Sequence, residues 1–68
     1  MSKFTLKAAR VNAGLKQKDA AKDLKVSNKT LSNWENGKAM PKADKIALIC
    51  NLYKMDYNDI IFLPTKTL

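Results

Sequence analysis

The chain is poor in the residues that build catalytic and metal sites. Its 68 residues include no histidine and a single cysteine, Cys50. One cysteine excludes an intrachain disulfide, and without histidine it cannot complete a zinc site. The two glycines, Gly14 and Gly37, are too far apart to form a phosphate-binding loop, and no serine has a plausible catalytic base. We therefore expect no enzyme activity, no metal, no cofactor and no small-molecule ligand.

Long apolar runs are also missing. No stretch is long enough for a signal peptide or a membrane span. We expect a cytoplasmic protein with no membrane partner, and one domain over residues 1–68. A chain of this length builds only a small core, so apolar packing must stabilise the fold without disulfides or metals.

Acidic residues are scarce. Lysine and arginine outnumber them most strongly in the first two thirds of the chain. The sequence holds 13 Lys and Arg against 6 Asp and Glu, a net charge of +7. Residues 1–45 contain eleven basic and four acidic residues, whereas residues 46–68 contain two of each. A basic first part and a neutral second part suit a polyanion on one side and protein packing on the other. Charge alone does not exclude a merely soluble basic protein.

Helical spacing of apolar residues dominates the sequence, and no alternating strand pattern is present. The signals for helix starts and stops predict an all-α fold of five short helices with a core over about residues 5–63 and frayed ends. The fourth helix is the most apolar, and we expect it to place Ile46, Leu48, Ile49, Leu52 and Tyr53 in the core. The first three helices are expected over Thr5 to Gly14, about Gln17 to Leu24, and Ser27 to Gly37. The fourth is expected to start just beyond Pro41. Asp56 is expected to cap the fifth, with Asp59 as a weak capping-box partner.

The third predicted helix has an unusual composition. Ser27 is a good N-cap, Gly37 a good stop, and Leu31 and Trp34 form one narrow apolar stripe. Its other face is polar and free of acids, with Asn28, Lys29, Ser32, Asn33 and Asn36. Asn and Ser are poor helix residues, but they hydrogen-bond well to base edges and phosphates. This pattern favours a helix laid against DNA, and a plain solvated surface is the alternative.

Several residues combine into a specific pattern. They are Arg10, Gly14-Leu15, Gln17, Ala21, Leu24, Val26-Ser27, Leu31, Trp34 to Gly37, Pro41 and the closing run Asp56 to Phe62. Together they resemble the helix-turn-helix family of phage repressors and Cro proteins, also called the Xre family. The resemblance covers roughly residues 5–63 and is most similar to small regulators of phages and prophages of Gram-positive bacteria.

The resemblance implies a compact five-helix, lambda-repressor-like domain. In such a domain the second and third helices form the helix-turn-helix, and the third, here about residues 28–36, enters the major groove. The base-reading positions of the family match Asn28, Lys29 and Asn33. Contacts to phosphate or backbone are expected from Lys16, Gln17, Lys18, Ser27, Thr30, Ser32, Asn36 and Lys38. The same resemblance implies that Gln17 supports the reading helix.

Arg10 and Glu35 match a family pair that forms a structural salt bridge beneath the motif. Three positions depart from the family pattern. Lys16 replaces the usual Ser or Thr cap of the second helix, so a cap is lost where a phosphate contact could be gained. Lys54 stands where a glycine often ends the fourth helix, which indicates strain or a different turn. Trp34 is large for its stripe, and we expect it to fill the core rather than contact bases.

The expected function is that of a sequence-specific, DNA-binding transcriptional regulator of the repressor or Cro type, associated with the nucleoid. Its partner is a roughly palindromic double-stranded DNA operator. Two alternatives remain. The first is an antitoxin that regulates its own synthesis by binding DNA, and the second is a protein-interaction module on the same fold. An antitoxin usually carries a toxin-binding segment, and only Thr65 to Leu68 lie beyond the expected fold.

The apolar content near the C-terminus predicts a weak homodimer through the C-terminal helix. Residues 53–63 hold more apolar side chains than one short helix can bury internally. Burial of all of them in the monomer core is the alternative, which suits Ile60 and Ile61 but suits Tyr57, Phe62 and Leu63 less well. Pairing would double the contacts to DNA and match the two halves of an operator.

Overall fold

The computed structural model describes residues 3–62, which fold into four α-helices with a small parallel ladder. The helices are α1 (Leu6–Asn12), α2 (Gln17–Leu24), α3 (Asn28–Glu35) and α4 (Ala43–Tyr53). A 3-10 turn at Tyr57–Asp59 follows α4, and the two-residue strands are β1 (Phe4–Thr5) and β2 (Ile60–Ile61). No helix in this part of the chain is long and apolar enough to cross a membrane.

The predicted fifth helix is wrong, although the mostly helical, all-α architecture is confirmed. After the 3-10 turn the chain straightens, and Ile60 pairs with Phe4 in the ladder between β1 and β2. Isoleucine loses side-chain freedom in a helix and packs well in extended backbone, which favours this outcome. The predicted capping contact at the turn is present, because the Asp56 N–H donates to Asp59 Oδ2 over 3.3 Å.

The helix starts follow the sequence closely. Thr5 Oγ1 accepts a hydrogen bond from the Ala8 N–H at 3.1 Å, and Ser27 Oγ accepts one from the Thr30 N–H at 3.0 Å. Each bond satisfies a backbone donor that the first helical turn leaves open. Lys16, which precedes α2, makes no such bond from its side chain. The loss of a cap predicted at this position is therefore confirmed.

All four helices end in the same way, with one residue in the left-handed conformation. The next N–H then bonds to the carbonyl five residues earlier, as in a Schellman motif. The left-handed residues are Gly14, Lys25, Gly37 and Lys54, with φ values of 77°, 60°, 75° and 56°. The glycines were predicted as stops and Lys54 as a strained position, whereas Lys25 carried no such signal.

The core lies where α1, α2, α3 and α4 meet. Leu24, Leu31 and Ile49 are fully buried, and Trp34 is buried beside them as predicted. Leu48, expected in the core, is instead 42% exposed. The reason is helical geometry, because Ile49 and Tyr53 are four residues apart on one stripe and Leu48 lies off that stripe.

The C-terminal part of the described chain also departs from expectation. Phe62 is only 5% exposed and belongs to the core, so its predicted place on a surface is wrong. The ring of Tyr57 stacks on that of Phe62 with centroids 5.4 Å apart, and Tyr57 itself is 56% exposed. Leu63, the third apolar residue expected near the surface, lies outside the described residues.

The left-handed lysine at the end of α4 yields a stability prediction. A side chain in this conformation costs about 1–2 kcal/mol, and glycine avoids that cost while losing about 0.4–1 kcal/mol through a freer unfolded chain. We expect Lys54→Gly to raise the free energy of unfolding by about 0.5–1 kcal/mol, measured by urea denaturation. Lys54→Ala is the control, because it removes the charge but keeps the Cβ atom. If Lys54→Gly and Lys54→Ala have equal free energies of unfolding, relief of backbone strain does not cause the gain in stability.

Candidate nucleic-acid interface

Two short helices joined by a tight turn form the candidate interface. α2 ends at Leu24, the turn comprises residues 25–27, and α3 begins at Asn28. The two helices pack against each other through the fully buried side chains of Leu24 and Leu31, beside the small residue Ala21. Helices joined by so short a turn, with small residues at their contact, form a helix-turn-helix arrangement.

The outward face of α3 is polar and carries no acidic residue in its first turn. Leu31 and Trp34 point into the core, and the polar residues lie on the remaining surface of the helix. Asn28 and Lys29 are exposed in the first turn, and Asn33 is half-buried one turn after Lys29. The fold therefore keeps the three expected base-reading residues on one short helix, with Lys29 and Asn33 adjacent on its surface.

Several of the polar side chains expected at the DNA backbone also bond to one another. Ser27 Oγ donates to Thr30 Oγ1 at 2.9 Å while it caps the helix. At the other end of α3, Asn36 Nδ2 donates to Ser32 Oγ at 3.2 Å. These bonds restrict the rotamers of the four side chains, and each side chain keeps further hydrogen-bonding capacity for a partner.

An ion pair lies beneath this surface. Arg10 Nε donates to Glu35 Oε2 at 2.7 Å, and Arg10 Nη2 donates to Glu35 Oε1 at 3.3 Å. The side chains are 9% and 3% exposed, so the pair is buried. Arg10 Nη1 also donates to the Leu15 carbonyl oxygen at 2.9 Å. One arginine thus joins α1 both to the end of α3 and to the link before α2.

Gln17 joins the same network. Its Nε2 donates to Glu35 Oε1 at 3.1 Å, and its side chain is half-buried. The amide therefore supports the end of α3 from the first residue of α2. A phosphate contact at Gln17 stays a prediction, for which the second amide hydrogen and the open backbone N–H at the helix start are suitable donors.

The lysines expected at phosphates lie around this surface. Lys16 and Lys18 are exposed at the start of α2, and Lys38 is exposed just after the end of α3. A lysine at such a position can turn its ammonium group toward a phosphate without leaving a buried partner. Their phosphate contacts stay predictions.

Two residues near the interface make contacts that the sequence does not predict, although Tyr53 is expected in the core. Lys45 in α4 donates from Nζ to the Leu24 carbonyl oxygen at 3.0 Å. Tyr53, also in α4, is buried near Arg10 and Glu35. The one available signal was periodicity, because Lys45, Ile49 and Tyr53 follow one another at four-residue steps on the core side of α4.

Tyr53 is a polar group at the edge of the core. Burial, and to a smaller extent the negative charge of Glu35, raise the pKa of its hydroxyl to about 12, while the positive charge of Arg10 opposes the shift. Among the described residues the hydroxyl has no hydrogen-bond partner. Because a buried polar group without a partner is unfavourable, this hydroxyl lowers the stability of the fold.

A phenylalanine at position 53 keeps the ring and removes the hydroxyl. We expect Tyr53→Phe to raise the free energy of unfolding by about 1 kcal/mol at pH 7. The unfolded chain loses the phenolic proton near pH 10, whereas the folded chain holds it to about pH 12, so the Tyr53 contribution falls as pH rises between these values. The advantage of the variant should therefore widen over this range, which parallel urea denaturations at each pH measure. A constant difference would contradict the raised pKa.

Comparison with known proteins agrees with this geometry. The Helix-turn-helix family profile matches residues 6–60, which is more than half of the chain. The chain is 42% identical over 50 residues to the HTH-type transcriptional regulator ImmR of Bacillus subtilis (strain 168). That match covers 74% of this chain and 39% of the relative, so the matched segment spans well under half the length of that protein. No solved structure shows a significant match.

Proposed function

Since this chain belongs to the Helix-turn-helix family, we propose that it is a sequence-specific DNA-binding transcriptional regulator that inserts α3 into the major groove. The observation that carries the proposal is the face of α3 opposite Leu31 and Trp34. That face is polar, has no acidic residue in its first turn, and belongs to the strongly basic part of the chain. The similarity to a protein named as a transcriptional regulator supports the same function.

In this proposal Asn28, Lys29 and Asn33 read base edges. Residues near the start of a recognition helix reach furthest into the groove, and Asn28 and Lys29 are exposed there. Lysine suits the acceptors of guanine, and asparagine suits the paired donor and acceptor of adenine. Asn33, one turn after Lys29, extends the readable stretch along the groove.

The DNA backbone contacts come from the rim of the same surface. The start of α2 offers open backbone N–H groups and two exposed lysines, and the end of α3 is followed by a third lysine. Phosphate contacts set the position of the protein and supply most of its salt-dependent affinity. The residues proposed for them are Lys16, Gln17, Lys18, Ser27, Thr30, Ser32, Asn36 and Lys38.

The experiment for this function has two steps. First, duplexes that bind the wild-type chain are selected from a random DNA pool, which yields the operator. Then Lys29→Ala and Asn33→Ala are compared with wild type on that operator and on a scrambled duplex. We expect each change to remove about 1–3 kcal/mol of discrimination between the two duplexes.

Lys38→Ala is the matched control for these variants. It removes a lysine from the rim, so we expect both duplexes to bind more weakly and the slope of log affinity against log salt to become shallower by about 0.9. If Lys29→Ala and Asn33→Ala retain the wild-type preference for the operator over the scrambled duplex, the reading surface lies elsewhere. Failure of the wild-type chain to select any sequence would refute sequence-specific binding.

The proposal includes a weak homodimer that pairs on the operator. The expected C-terminal helix is replaced by the 3-10 turn, and its exposed apolar residue is Tyr57 rather than Phe62. Leu48, 42% exposed on α4, adds a second apolar side chain in the neutral part of the chain. The longest extent of the domain is 33 Å, slightly less than the about 34–36 Å between half-sites, so two copies approach contact only end to end.

Tyr57→Lys tests this dimer without opening the core. We expect the variant to bind the full operator more weakly and less cooperatively than wild type, while its affinity for a single half-site is unchanged. Val11→Lys is the control, because Val11 is 59% exposed on α1 and lies outside the proposed contact. Binding curves on full and half operators measure both effects. If the α1 variant alone loses cooperativity, the pairing surface includes the first helix.

A further inference from the structure

Lys45, the lysine within α4, is bonded to the helix-turn-helix. Its Nζ donates to the Leu24 carbonyl oxygen at 3.0 Å, and its side chain is half-buried. Leu24 is the last residue of α2, and its own side chain is buried in the core. The contact therefore joins the start of one helix to the end of another that is 21 residues away in sequence.

The acceptor in this contact has few other partners available. At the end of α2, the Lys25 N–H bonds to the Lys22 carbonyl oxygen and the Val26 N–H bonds to that of Ala21. The final carbonyls of a helix point away from it and carry the negative end of its dipole. An ammonium group at the Leu24 carbonyl completes this end with a charge-assisted hydrogen bond.

The end of α2 determines where the recognition helix begins. Three residues, 25–27, separate the two helices, and the first of them already has a left-handed backbone. The last of the three, Ser27, caps α3 through its bond to the Thr30 N–H. A shift at Leu24 is therefore passed to Ser27 over a very short distance, and from there to Asn28 and Lys29.

We propose that Lys45 is a positioning residue for DNA recognition, which fixes the α2–α3 turn by bonding to the Leu24 carbonyl. The inference rests on the proposed DNA-binding function. Lys45 acts through the turn and through the first residues of α3, and it makes no contact with DNA. This separates it from the exposed lysines, whose expected partners are phosphates.

Three variants test the proposal. Lys45→Met keeps a long apolar side chain but removes the donor and the charge, and Lys45→Arg keeps both. Lys42→Met is the matched control, because Lys42 is exposed immediately before α4 and its loss removes the same charge from the same helix start. The probes are the duplex selected by the wild-type chain and a scrambled duplex of equal length and composition. Urea denaturation checks that each variant is folded.

The proposal predicts a selective loss. Lys45→Met should bind the selected duplex about tenfold more weakly, whereas its affinity for the scrambled duplex and its salt slope stay at the wild-type values. Lys45→Arg should restore most of the affinity, and Lys42→Met should leave the preference between the duplexes unchanged. The proposal is overturned if Lys45→Met weakens both duplexes equally with a salt slope shallower by about 0.9, since Lys45 would then be a phosphate ligand. Wild-type preference in Lys45→Met overturns it as well.

A measurement without DNA separates this inference from the proposed function. Hydrogen exchange at the Lys25 and Val26 amides reports on the turn directly, because both donate back into α2. Lys45→Met should increase exchange at these two amides, and Lys42→Met should not. Unchanged exchange in Lys45→Met refutes the positioning role even if DNA binding is confirmed. If the wild-type chain selects no DNA, the proposed function fails, and the exchange result decides whether Lys45 orders the turn.

Discussion

The Glu35 carboxylate is the group on which the arrangement of the first three helices depends. It lies at the last residue of α3, is almost completely buried, and accepts hydrogen bonds from Arg10 in α1 and Gln17 in α2. A buried carboxylate is stable only if its partners are held in place, because an unpaired charge in the core costs about 3–5 kcal/mol. The three helices must therefore keep one mutual geometry. That geometry presents α3 at a fixed angle on the surface.

Such a network is not a major source of net stability, since the transfer of both charges out of water offsets much of their attraction. Its effect is to penalise every arrangement in which α3 has turned or slid against α1 and α2. Tyr53 lies close enough to both charges for its pKa to respond to them, which places α4 against the same group. The Lys45 contact acts at the opposite end of the unit, where α2 turns into α3. α3 is thus held at its end through Glu35, and the turn before it is bonded to Lys45.

Local features of the sequence predicted most of the fold. Caps at Thr5 and Ser27, stops at Gly14 and Gly37, and the burial of Trp34 each depend on residues a few positions apart. The ladder between Phe4 and Ile60 could not be predicted in this way, because two residues are too few for an alternating pattern and their partners lie at opposite ends of the chain. Once β2 replaces a helix, the chain direction after Asp59 changes, and Phe62 packs into the core.

The candidate site was harder to predict than the fold. Composition and helical spacing placed the polar face of α3, and the family resemblance placed the Arg10–Glu35 pair. The resemblance also implies that Gln17 supports α3, but neither signal identifies Glu35 as the partner of its amide, since the two residues lie 18 positions apart. Lys45 shows most clearly which contacts cannot be predicted from local sequence patterns. Its spacing from Ile49 placed it on the inner stripe, yet lysine in a basic chain suggests an exposed side chain, and the acceptor belongs to the backbone of another helix.

The composition of α3 follows from where its stability originates. An eight-residue helix is too short to persist alone, and Asn and Ser weaken it further. Its stability comes from the Ser27 cap, from the left-handed stop at Gly37, and from the burial of Leu31 and Trp34. None of these requires a particular residue at positions 28, 29 or 33. The outward face of α3 can therefore change without loss of the fold, because the core that supports the helix stays constant.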